Sequence, residues 1–578
     1  MRTDLLQTNH KNKLINSPLL AIILNVLVLV LYITIFGVKY EIHDDLAVAA
    51  LIQHQYFYIG FINYILCVIA YGFQFLVPFA NGWVLLQIFL SFISFCTLSY
   101  IFSKSGSRII NFLFAALVPV VFAYDHYCDI QFTKTSALLL VTGIVTVLYY
   151  LSNHKQCQRK LLFIGCMLLL FGSWYRYTNI YPVFGLAAVW ALFYITQKNK
   201  SGLIIFLKNN YRSLFVVLAV LIIVLGSHQF SIEINKSTPD LRYYQDFHAA
   251  QVSVIDYGGI PTDEKSQSYY NGLGFSKSDL SFLSDISYFD SEDLVSIEEL
   301  RAIASNITSE APPKDVIFSD MVNTLSQSIN DYPLRCVHLI FLLSLLALSL
   351  VFTPNRWRVF SIVFFICVIG GYFYLFTLGR PLYRATYGID LAGISFLMLS
   401  LSINSIKPSF AVVQKYVVVA LSVVISVMAF IGIQQQANNL LKPDKETNAN
   451  TLYNYMETHK DDFYIFYGLN DRILFYSTWN YYQNPIIPLP KDIFDNGYEL
   501  SKWQPPSPFT KQKLQAFGLQ NIYSDVIDKS NIYIVDNFNT DIAEQYFNDH
   551  YAKDGQAITF KLVDTIGGFN IWQVKSNE

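Results

Sequence analysis

Charge is scarce along this chain: Asp, Glu, Lys and Arg make up 14% of its 578 residues, against 53% hydrophobic and 16% aromatic. Soluble domains carry about 25% charged residues, so the composition excludes an ordinary soluble enzyme and points to lipid as the solvent. No excess of one sign exists either, because the formal net charge is −2. Without a basic field, a nucleic-acid partner is excluded. Cysteine is sparse, with seven residues and none inside the polar stretches 231–335 or 434–578, so no disulfide framework supports those regions. There is no phosphate-cradling glycine loop, nucleophile elbow or zinc signature, which leaves a nucleotide-driven pump and a serine hydrolase without support. Internal repeats and low-complexity segments are lacking too.

What the chain has is long apolar runs. A bilayer core needs about 20 apolar residues per helix. The segments 17–38, 83–103, 109–124, 132–151, 161–174, 179–196, 213–231, 337–353, 358–378, 385–403 and 412–432 approach that length, which predicts about eleven spans. The stretch Tyr56–Val77 is a further candidate, and charge parity decides its reading. If it does not cross, the basic connectors at Lys104/Arg108, Lys155/Arg159/Lys160, Lys198 to Arg212, Arg356/Arg358 and Lys407/Lys415 all fall on the cytoplasmic side with the basic N-terminus. The stretch is therefore expected to be a juxtamembrane or re-entrant helix on the outer face, interrupted at Pro78 and returned through Asn81-Gly82-Trp83. No small-residue cleavage site follows the first run, so the start is expected to be a cytoplasmic anchor.

The expected architecture is a polytopic α-helical domain over 1–433, with an exterior loop at 39–82 and an exterior insertion at 231–335. An extracellular α/β domain over 434–578 follows. Its expected helix is Leu452–His459, and its expected strands lie at Phe463–Tyr467, Arg472–Tyr476, Asn531–Val535, Ile558–Val563 and Phe569–Val574.

Immediately after the first run stand two adjacent acids, Asp44 and Asp45. Ionisable groups at the edge of the hydrocarbon are costly unless they face a hydrated cavity, so the pair is the first candidate for chemistry. The same topology brings His43, Asp125, His126, Asp129, Lys134, Arg176, Arg380 and Arg384 to the outer ends of spans. Arginine suits a phosphate because its guanidinium offers a fixed fork of donors, and a carboxylate suits deprotonation of an acceptor hydroxyl. Lys134 and Arg176 have the alternative of reaching to the interface as lone bases. His43 and His54 have no second ligand at a diagnostic metal spacing, and they join the substrate-binding set with Lys134 and the three arginines.

The acidic pair in the first exterior loop, the juxtamembrane helix, the many spans and the exterior C-terminal domain together resemble the GT-C superfamily of integral-membrane glycosyltransferases. The stretches His43-Asp44-Asp45, Gln131-Phe132-Thr133-Lys134-Thr135, Asp256-Tyr257-Gly258-Gly259-Ile260-Pro261 and Gly272-Leu273-Gly274-Phe275-Ser276 look like those of polytopic membrane proteins from Gram-positive bacteria. The resemblance implies a polyprenyl-phosphate-linked sugar donor, a cell-envelope glycan or protein as acceptor, inversion at the sugar carbon, and Asp44 or Asp45 as catalytic base. It implies residence in a bacterial plasma membrane, among its lipids. The Trp-Trp-Asp signature of the oligosaccharyltransferase branch is missing, and the adjacent acids depart from the acid-x-acid spacing that binds metal, which leaves a divalent metal open. Two rival readings are a polysaccharide polymerase or ligase, which would draw on Arg242, His248 and Arg301 of the insertion, and a transporter of lipid or polysaccharide, which would need polar groups at mid-bilayer depth.

Overall fold

The computed structural model describes residues 18–41, 43–104, 108–153, 158–198, 202–255, 264–286, 295–309, 314–377, 382–403, 411–439, 449–466, 484–488, 495–499, 507–536, 540–553 and 556–577. The chain divides into two compact units. The first takes residues 1–45, 61–231 and 315–441; the second takes 46–60, 232–314 and 442–578.

The first unit is helical, and a helix occupies each of the expected apolar segments. Among the described residues, nine helices are long and apolar enough to cross a membrane, from Pro18–Phe36 near the N-terminus to Val412–Asn438. Arg108–Phe122 and Arg159–Tyr175, with 15 and 17 residues, are shorter. The centre is formed by Phe132–Asn153 and Tyr383–Ile403, which are almost wholly buried, whereas Pro18–Phe36 keeps Leu19, Leu27, Val30 and Ile35 exposed. A helix apolar on every side belongs in a core or in lipid. Gly143 and Gly165 let the two central neighbours Phe132–Asn153 and Arg159–Tyr175 approach: a Cβ on Gly143 would lie 2.8 Å from the Gly165 carbonyl oxygen.

The stretch expected at 56–77 forms a helix only over Tyr64–Leu76. Asn63 sets its start, accepting from Ile65 N at 3.0 Å while its own amide donates to the Ser227 carbonyl. Thirteen residues rise about 20 Å, less than the hydrocarbon core. Asn81 then caps the next helix, accepting from Trp83 N at 3.1 Å. Two connectors that the sequence leaves irregular pair as parallel strands, β1 (Lys39–Tyr40) with β2 (Asp129–Ile130), in the register Lys39 to Asp129.

In the second unit the strands β3 (Phe463–Phe466), β4 (Gly497–Glu499), β5 (Ile532–Asp536), β6 (Ile558–Ile566) and β7 (Phe569–Ser576) form one sheet in the order β4-β3-β5-β7-β6. The three strands β4, β3 and β5 run parallel and β7 returns antiparallel. The strand expected at 472–476 lies outside the described residues. The insertion shares the core of this unit with the tail expected as an α/β domain over 434–578. Phe247, Tyr270 and Leu300 pack in one apolar cluster with Phe463, Ile534 and Phe547, and His550 Nε2 lies 2.6 Å from Asp279 Oδ1.

Candidate functional site

The site is built at one end of the helical unit. Glu41 follows the first helix, Asp125 follows Arg108–Phe122, Lys134 begins Phe132–Asn153, Tyr383 begins Tyr383–Ile403, and Gln436 stands near the end of Ala411–Asn439. Gln131 fixes the start of the Lys134 helix by accepting from Lys134 N at 2.9 Å. The Lys134 ammonium then lies 2.7 Å from Glu41 Oε2, 2.7 Å from Asp125 Oδ1 and 3.4 Å from Asp129 Oδ2, with all four side chains at or near zero exposure. Tyr383 donates to the other Asp125 oxygen at 3.0 Å, and Gln436 donates to Asp129 Oδ2 at 3.1 Å. Burial pushes the Glu41 and Asp125 carboxyls up, and the Lys134 ammonium pulls both back. Lys39 is buried beside them and feels Asp129 and Glu41.

Three acids thus face two bases, one charge in excess, and an ammonium occupies the centre of the carboxylates. Among the described residues no group of three or more His, Cys, Asp or Glu side chains is arranged to hold a metal ion. Lys134, a substrate-binding candidate in the sequence, is sealed among its acids with no solvent access. Through these contacts it ties Glu41, just after β1, to the Asp125 connector.

Asp44 and Asp45 open the helix His43–Gln53 and separate sharply. Asp45 is fully buried: its Oδ1 accepts from Trp83 Nε1 and Gln87 Nε2, both at 2.9 Å, and its Oδ2 accepts from Phe132 N at 3.2 Å. Burial raises this carboxyl to about 7 against the pull of the three donors, and Asp44 adds a smaller push. With both oxygens accepting from fixed donors, Asp45 acts as a strut between three helices and is poorly placed to take a substrate proton. We expect Asp45→Asn to lower stability by about 1–3 kcal/mol, since one amide hydrogen must then face another donor without an acceptor. Thermal unfolding in detergent followed by tryptophan fluorescence measures this, and an unchanged melting temperature would remove the strut.

Asp44 is the accessible member. Its side chain is 20% exposed and its Oδ2 lies 3.6 Å from Arg384 Nη1, on a side chain that is 28% exposed. An acid and an arginine proposed separately from the sequence therefore meet at the surface of this unit. Arg176 is half-buried, with its guanidinium 5.6 Å from the Phe61 ring and 6.0 Å from the Phe132 ring, and those rings stack on each other. It thus stacks on the residue whose N–H binds Asp45. His54 belongs to the second unit, where its Nδ1 lies 2.8 Å from the Ala50 carbonyl and its ring meets Phe509. The His43 side chain and Arg380 lie outside the described residues. Of the insertion residues, Arg242 and Arg301 are exposed, and His248 stacks on Tyr244.

Sequence reasoning missed Glu41 and Gln436 as partners of the lysine, and it missed a second buried group. Arg335 donates to Thr386 Oγ1 at 2.9 Å, its guanidinium lies against the Tyr372 and Tyr383 rings, and the Tyr372 hydroxyl donates to Asp390. A signal existed, since Asp390 interrupts an otherwise apolar run and such a residue is a functional candidate by default. No known protein-family model matches the chain, and neither does any curated protein.

Proposed function

We propose that this chain is a membrane glycosyltransferase of GT-C type that moves a sugar from a polyprenyl-phosphate donor to a cell-envelope acceptor. The observation that carries the reading is the partly exposed Asp44–Arg384 pair at the end of the helical unit. A sugar on a lipid phosphate already has its leaving group, so the protein needs a base for the acceptor hydroxyl and a donor fork for the phosphate charge. Asp44 supplies the first and Arg384 the second, while Arg176, braced by two rings, adds positive charge on the same unit. In this reading the nine long helices and the two shorter ones all cross, the N-terminus is cytoplasmic, and the Asp44 end faces outward in a bacterial plasma membrane.

The test is the arginine series. Arg384→Ala is expected to lower transfer from a polyprenyl-phosphate sugar by about 10–100-fold, and Arg384→Lys to recover less than half of that loss, because an ammonium keeps the charge and loses the bidentate fork. Full recovery by lysine would reduce Arg384 to a structural counter-ion of Asp44. A transport reading draws on Arg335, His338 and Asp390, ionisable side chains buried within the helical unit. Substrate flux in proteoliposomes without any new glycosidic bond would favour it.

A further inference from the structure

One guanidinium cannot serve two anions at full strength. Arg384 faces Asp44 at 3.6 Å, beyond hydrogen-bond length, with both side chains partly exposed. The residues that carry them are fixed: Asp45 is held by Trp83, Gln87 and Phe132 N, and Tyr383 is held against Asp125. The Asp44 and Arg384 side chains themselves reach the surface of the unit. We infer that the phosphate of the substrate binds by displacing Asp44 from Arg384, so that the acid is released toward the acceptor only when a phosphate has taken its place. The inference rests on the glycosyltransferase reading and adds to it the order of events at the pair.

Three physical points carry it. An exposed ion pair at this separation is weak, whereas a phosphate takes two parallel hydrogen bonds from the same fork. Asp44 does not lose all stabilisation when Arg384 turns away, because it stands in the first turn of His43–Gln53, where the helix N-terminus favours negative charge. Free of its counter-ion, the carboxylate becomes a stronger base, since an adjacent cation lowers the proton affinity of an acid. Substrate phosphate thus switches on the base beside it, and water is less readily activated while the site is unfilled.

The consequence runs against the usual expectation for a catalytic residue: removing its charge should tighten substrate binding. Farnesyl phosphate titrated into the full-length protein in detergent, read by calorimetry, should bind Asp44→Asn and Asp44→Ser about two- to fivefold more tightly than wild type, the range of an exposed ion pair. Asp44→Glu should bind as wild type does, Arg384→Ala should bind more weakly than wild type, and farnesol should not compete. If wild type binds farnesyl phosphate while both neutral variants, eluting as folded protein, bind equally or more weakly, the displacement is overturned and the glycosyltransferase reading survives. If wild type does not bind it at all, both fall.

Discussion

Lys134→Met is expected to leave little folded protein. The substitution keeps an unbranched side chain only one atom shorter and removes the only ammonium within 3.4 Å of Glu41, Asp125 and Asp129 among the contacts described. Deleting one partner of a buried pair typically costs about 3–5 kcal/mol, because the remaining charge stays in a medium that cannot solvate it. Here three carboxylates share the loss, and the total stability of a domain is only about 5–15 kcal/mol. Monodisperse yield after mild-detergent extraction, compared with wild type at equal expression, is the readout. Adding Asp125→Asn to Lys134→Met should restore part of that yield by removing one of the two closest stranded charges. A lone Lys134→Met protein that melts at the wild-type temperature would mean that the carboxyls hold protons and that the cage is not ionic.

Asp44→Asn is expected to behave in the opposite way, with stability preserved and transfer lost. A general base contributes about 10²–10⁴-fold, and the amide keeps the volume of the carboxylate while losing its basicity. The exposed Arg384 pair contributes at most about 1 kcal/mol, so the melting temperature should move little. Transfer measured on membranes with a panel of radiolabelled polyprenyl-phosphate sugars gives the rate, and the same preparations give the melting curve. Wild-type transfer by Asp44→Asn, with every sugar that supports activity, would remove Asp44 from the chemistry.

The contrast between the two acids shows where sequence reasoning stops. Adjacent acids after an apolar run are visible to inspection, and their adjacency suggests a shared task. At 3.6 residues per turn, neighbours on a helix point about 100° apart, so Asp45 turns into the core toward Trp83 and Gln87 while Asp44 turns toward Arg384. The apolar helices were legible because length and hydropathy are local properties. So were β3, β5, β6 and β7, which carry runs of β-branched and aromatic residues, whereas Gly497–Glu499 is too short to announce itself. The cage was half legible: Asp125, Asp129 and Lys134 are close in sequence, but Glu41 and Gln436 reach it only through the packing of separate helices. The pairing of β1 with β2, two residues each, leaves no pattern in the sequence at all.

Those separations also set a timetable for synthesis. Asp129 precedes its partner Gln436 by 307 residues, so at about 5–20 residues per second the ribosome delivers the partner roughly 15–60 s later. During that interval an acidic connector has entered the membrane machinery before its last ligand exists. Lys134, only five residues behind Asp129, emerges almost with it and can offset one of the connector's two acidic charges at once. The lysine is thus at hand for these charges long before Gln436 can complete the finished cage.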